Sequence, residues 1–171
     1  MILPAVRDPR LVTIRRGGTL ADSDHRLLAL WAATCAEHVL ALFEESNSGD
    51  TRPRDAIAAA RAWARGEAKM MDTRAVGGHA MGAARPLPGA ARFAAYAAGQ
   101  AACVAHVPEH DLGAAAYAIK AVQAAAPPGN EKAAGRAERD WQHRQIPAGL
   151  YDLILEDQAR RNDICWSVFN G

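Results

Sequence analysis

At 171 residues with a net charge of +1, the chain is long enough for one domain with a real core, and it is too evenly charged to signal a nucleic-acid or membrane partner. Hydrophobic residues make up 50% and aromatic ones only 6%, so the apolar fraction is mostly alanine. Alanine is the best intrinsic helix former, and with few β-branched runs this predicts an all-α fold and excludes an extended sheet.

The first eighteen residues read as an irregular lead, polar from Arg7 to Gly18 and punctuated by Gly17-Gly18. Thr19-Leu20-Ala21-Asp22 offers a capping-box pattern. A first helix follows with Leu28, Trp31, Cys35, Val39 and Leu42 on one face, ending in the turn-rich Ser46-Asn47-Ser48-Gly49. A second helix begins near Pro53 and stops at Gly66. The third runs from Met70 to Arg85. Its Gly77, Gly78 and Gly82 fit a helix interior only where another helix crosses closely or where the helix breaks, since each costs about 1 kcal/mol against alanine.

The segment from Gly77 to Ala126 is the expected centre. Between Gly89 and Val107 only Arg92, Gln100 and His106 are plainly polar, so this helix belongs inside, with neighbours all round. Pro108 ends it, and after His110 a further helix places Leu112, Ala115, Ile119, Val122 and Ala126 at three- and four-residue steps. Together they predict an Ala/Gly-rich helical hairpin. Pro127-Pro128-Gly129 ends it. Asn130 to Gln145 reads as a charged surface helix anchored by Trp141, and Pro147 restarts a helix with Leu150, Leu153 and Ile154 inward. That makes about seven helices in a single domain spanning residues 1–171. The apolar tail from Ile164 to Gly171 is expected to dock on the core, with Ile164, Trp166 and Phe169 making contacts there.

Candidate chemistry is sparse. Cys103, His106 and His110 stand at i, i+3 and i+7, metal-compatible on one continuous helix, although Pro108 interrupts it. GGHAMG matches neither GxGxxG nor GxxxxGK[ST] and follows no strand, so helix packing explains it better than a phosphate loop. Glu109-His110-Asp111 reads as a helix cap. Cys35, Cys103 and Cys165 are an odd, widely spaced set, read as reduced core thiols of a cytoplasmic protein. Met1-Ile2-Leu3-Pro4-Ala5 lacks the basic start of a signal peptide, and no apolar run of about 20 residues reads as membrane-spanning. No cofactor is expected.

The stretches LVTIRRGGTLADSDHRLLALWAATCAEHVL, RAWARGE, GGHAMGAAR, GAARFAAYAAGQAACVAHVPEHDLGAAAYAIKA and RRNDICWSVF, from Leu11 to Phe169, resemble a bacterial family of small helical immunity proteins. These are similar to the immunity partners of polymorphic toxin systems. The resemblance implies binding and neutralisation of a cognate toxin domain by occlusion, without catalysis, and it carries over no catalytic residues. The alternatives are a small enzyme or metal-binding domain using Cys103, His106 and His110, and a scaffold that self-associates, for instance as a homodimer, through its Ala/Gly faces. With the hairpin buried, a partner must be met by polar helix ends and loops. Three patches qualify: Asp24, His25 and Arg26; Glu109, His110 and Asp111; and Arg160, Arg161, Asn162 and Asp163.

Overall fold

The computed structural model of the protein describes residues 2–170. They form eight α-helices: α1 Asp22–His38, α2 Ala41–Glu44, α3 Arg52–Ala64, α4 Met70–Ala84, α5 Gly89–Cys103, α6 His110–Ala125, α7 Glu131–Arg144 and α8 Tyr151–Arg161. Short 3-10 turns occupy Pro9–Leu11, Ile14–Arg16 and Ala148–Leu150. Among the described residues there is no strand, only an isolated bridge between Thr13 and Leu20. The all-α expectation holds. No helix is long and apolar enough to cross a membrane among the described residues.

The eighth helix arises because the first expected one breaks. Val39 and Leu40 donate to Ala36 and Glu37, three residues back, so α1 tightens and ends before α2 begins. The expected capping box is also absent. Ala21 stands at the N-cap without a side-chain bond, and the Asp22 carboxylate turns outward to Arg15 at 2.6 Å.

The α5–α6 hairpin is the centre. Helix α5 packs against α1, α2, α3, α4 and α6, while α6 also packs on α1 and α7. Ala94, Ala95, Ala97, Ala98, Ala101 and Ala102 are fully enclosed, as are Leu112, Ala114, Ala115, Ala116, Ala118 and Ile119. Small side chains let the axes approach, and α4 crosses α5 at close range. A Cβ on Gly77 would lie 2.8 Å from the Gly99 carbonyl oxygen, and one on Gly99 would lie 2.9 Å from that of Gly77. Gly78 faces open space instead. Gly77→Ala should therefore destabilise by about 1–3 kcal/mol through overpacking against backbone. Gly78→Ala should stabilise by about 0.4–1 kcal/mol through chain entropy. Urea unfolding of the two variants checks the pair, and equal effects would contradict the crossing.

Larger side chains fill the remaining space: Leu11, Leu28, Trp31, Phe43 and Ile154 are buried. Helix α7 departs from its expected anchoring. Its enclosed residues are Gly135, Glu138 and Gln142, while Trp141 is only half-buried and stacks on His38 with ring centroids 3.5 Å apart. Glu138 accepts from His38 Nδ1 at 2.7 Å and from Gln142 Nε2 at 3.0 Å. Gln142 Nε2 also donates to the Ala115 carbonyl, and Trp31 Nε1 donates to the Gln142 carbonyl. A polar inward face is tolerated here because most of its groups find partners, Gln142 Oε1 being the exception.

The tail folds back after α8. Ser167 N–H donates to the Asn162 carbonyl at 2.7 Å, and Phe169 N–H donates to Asn162 Oδ1 at 3.0 Å. Cys165 and Val168 are the buried members, Ile164 and Phe169 are half-buried, and Trp166 points outward at 45% exposure. The reason is backbone conformation. Trp166 and Ser167 both take left-handed φ, +56° and +55°, which turns the chain so that the next inward position is Val168.

Candidate functional site

Two of the three expected patches come together, and they come together inside. Arg161 lies on the last turn of α8 at 1% exposure, facing Asp157 one turn earlier. Its Nε and Nη2 donate to Asp157, the latter at 2.5 Å, and Nη2 also reaches Asp111 Oδ1 at 3.3 Å. Its Nη1 donates to the Glu109 carbonyl at 2.9 Å and more distantly to that of Ile2. The Glu109 carboxylate, fully buried, accepts both nitrogens of an Arg7 fork at 2.7 and 2.5 Å. Arg160 bridges Asp157 and Asp8 at the rim. The network thus ties the lead and α8 to the start of α6.

This placement corrects the expected surface. Glu109, Asp111 and Arg161 are enclosed, and so is His25, whose Nε2–H donates to the Val104 carbonyl at 2.6 Å. Enclosed side chains do not present a surface to a partner, and of these only Asp111 keeps an unpartnered oxygen, Oδ2. Nor does Glu109 cap its helix through its side chain. Asp111, in the first turn, instead accepts from the Leu112 N–H at 2.6 Å. Arg26, Arg160 and Asp163 are exposed, while Asp24, His110 and Asn162 are half-buried. Asn162 is already engaged in holding the tail.

The exposed Arg26 borders a cleft that the sequence did not reveal. Arg7, Arg15, Arg16 and Arg26 converge there with His25, His106 and Trp63 around a cavity of about 420 Å³. Asp22 offsets Arg15 and Glu109 offsets Arg7, but Arg16 and Arg26 make no ion pair among the described residues. Burial, then the charges of Arg74, Arg16 and Arg7, hold the His106 imidazole below its ordinary value. The cleft is electropositive and suits an acidic surface. The arginines come from the lead and the start of α1, so only the fold brings them together.

Cys103, His106 and His110 do line one cavity, of about 520 Å³, with Met71, Met81 and Arg74. Among the described residues, however, no group of three or more His, Cys, Asp or Glu side chains could hold a metal ion. His110 Nδ1–H is committed to Gln100 Oε1 at 2.7 Å. Burial pushes the Cys35 and Cys103 thiols up, and that of Cys165 to about 12, which keeps them protonated and inert. Most of the Ala/Gly faces of the hairpin are buried within the chain.

The neighbours His110 and Asp111 titrate in opposite senses. Burial, reinforced by the positive charge of His106, Arg161, Arg7 and Arg74, lowers His110 to about 4. Burial raises Asp111 to about 7 against the pull of Arg161 and with the push of Asp157. A histidine lowered on folding binds fewer protons folded than unfolded, so its contribution falls as pH drops from about 6.5 to about 4. A raised aspartate works the other way, its contribution falling as pH rises from about 4 to about 7. His110→Gln should therefore gain on the wild type by about 2–3 kcal/mol between pH 7 and pH 4. Urea midpoints at the two pH values measure this, and a constant gap would contradict a neutral buried His110.

A family model described as Imm-5 like putative immunity protein matches residues 18–149, which is most of the chain. The chain belongs to this family. No curated protein and no solved structure matches it. The stretch matched by the immunity-protein family runs from just before α1 to the turn after α7. Arg7, Asp8, Asp157, Arg160 and Arg161 therefore flank it on both sides, and the buried ion network fastens these flanks to Glu109 and Asp111 within it.

Proposed function

We propose that this protein is a bacterial immunity protein that binds a cognate toxin domain in the cytoplasm and neutralises it by covering its active surface. Membership of the immunity-protein family carries this reading. The inert thiols agree with a role exercised by binding rather than by chemistry. The electropositive cleft offers one face for a partner, with Arg26 and Arg16 making no ion pair among the described residues, and the half-buried Asp24 stays a candidate on the same helix as Arg26. Arg160 and Asp163 lie on a second exposed polar stretch. His25, Glu109, Asp111 and Arg161 act from behind by holding the backbone that carries these surfaces.

The test is co-expression with the toxin domain encoded beside this chain. Cells carrying both should survive, and the two proteins should co-purify. An Arg16→Glu, Arg26→Glu variant should weaken the complex without lowering the melting temperature, because both arginines are free of internal partners. Death of cells producing soluble wild-type protein, with no complex recovered, would overturn the immunity role.

A further inference from the structure

A second surface is built quite differently. Phe93 and Tyr96 of α5, Tyr117 of α6 and Trp166 of the tail form a continuous aromatic chain, with Tyr117 5.1 Å from Tyr96 and 5.0 Å from Trp166 between ring centroids. Lys120 Nζ sits 5.0 Å from the rings of both Phe93 and Trp166, and Arg92 lies 5.6 Å from Tyr96. Cavities of about 490 and 380 Å³ lie along this chain and meet at Lys120 and Trp166. Arg92, Lys120, Lys132 and Arg136 line the pair, and among the described residues no carboxylate does. None of these four cations makes an ion pair among the described residues.

Trp166 is held outward at a cost. A left-handed φ is strained in a non-glycine residue, and two occur in succession here. The Asn162 hydrogen bonds to the tail maintain that turn, and its product is a tryptophan 45% exposed at the junction of two cavities. Tryptophan, tyrosine and arginine are the residues that dominate binding energy at protein interfaces.

We propose that this groove seats an acidic segment of the protein partner, which places an apolar or aromatic side chain in the corner between Trp166 and Tyr117. The inference rests on the immunity reading and names the chemistry of its partner. Four cations with no ion pair among the described residues call for carboxylates, and the exposed tryptophan calls for an apolar anchor. A single nucleic-acid strand fits less well. Base stacking needs free ring faces, whereas these rings already lie against one another and under Lys120 and Arg92.

The test uses the whole chain and the toxin domain encoded by the adjacent gene, with affinity measured at low and high salt and circular dichroism melting as the check on folding. Trp166→Ala, and Lys120→Glu with Arg136→Glu, should each weaken binding about tenfold or more, with Trp166→Phe intermediate. Wild-type binding should weaken as salt rises. A wild-type complex that both variants form equally well would overturn the groove while leaving the immunity role intact. No complex with the wild type would remove the immunity reading itself. Salt-sensitive binding of a short oligothymidylate, lost in Trp166→Ala, would overturn the acidic segment in favour of a nucleic-acid strand.

Discussion

Truncation of Arg161 to alanine is expected to destabilise the fold by about 3–5 kcal/mol, a large share of the roughly 5–15 kcal/mol that holds a domain together. The loss is of charge compensation more than of attraction. Asp157 and Asp111 are enclosed beside the guanidinium, and without it Asp111 stays buried with no cation while Asp157 keeps only Arg160 at the rim. The Glu109 and Ile2 carbonyls lose their donor as well. Asp111 would then be raised further above its unfolded value, so the variant should be weakest at high pH and regain stability on acidification as it protonates. Replacing Asp157 with leucine in an Arg161→Met background should recover part of the loss, because removing both members of a buried pair costs less than removing one. Arg160→Ala, at an exposed neighbour, should cost no more than about 1 kcal/mol. Urea unfolding across pH 5–8 reads all three variants. An Arg161→Ala protein as stable as Arg160→Ala would show that the network holds nothing together.

Deletion of the tail after Asp163 is the second large effect. It removes buried Cys165 and Val168 and half-buried Ile164 and Phe169, together with the Arg139 bond to the Phe169 carbonyl. The expected loss is about 3–5 kcal/mol, from about 1.5–3 kcal/mol for each well-buried apolar side chain. For a chain of this size that lowers the melting temperature by roughly 6–20 °C, at about 2–4 °C per kcal/mol. Trp166→Ala alone should leave it nearly unchanged, since that ring stands outward. An unchanged melting temperature after the deletion would show that the tail contributes no packing.

The helices and the central hairpin were legible because proline, glycine and apolar spacing act locally. Pro108 and Pro127-Pro128-Gly129 bracket α6 in the sequence as they do in space. Gly77 was legible as a crossing point, although Gly78 and Gly82 look the same on paper and face open space or an arginine tip. The three polar patches could be picked out but not weighed. Whether Arg161 is a surface charge depends on Glu109 and Asp111, 52 and 50 positions away, and no local pattern reports that. Trp166 was misplaced for a different reason. Apolar residues in a tail suggest burial, and nothing in Cys165-Trp166-Ser167 announces two left-handed residues that reverse the inward face. The arginine cleft and the aromatic groove are each assembled from several elements, so both were invisible until the chain was folded.

The immunity reading has one direct measurement: the activity of the toxin domain encoded beside this chain, assayed on its own substrate while the purified protein is titrated in. Occlusion predicts that activity falls linearly and reaches zero at one molecule of this protein per toxin, and that activity returns when the complex is dissociated. Activity that persists in excess of this protein would contradict immunity. Activity abolished by far less than one equivalent would contradict occlusion and require this chain to act as a catalyst.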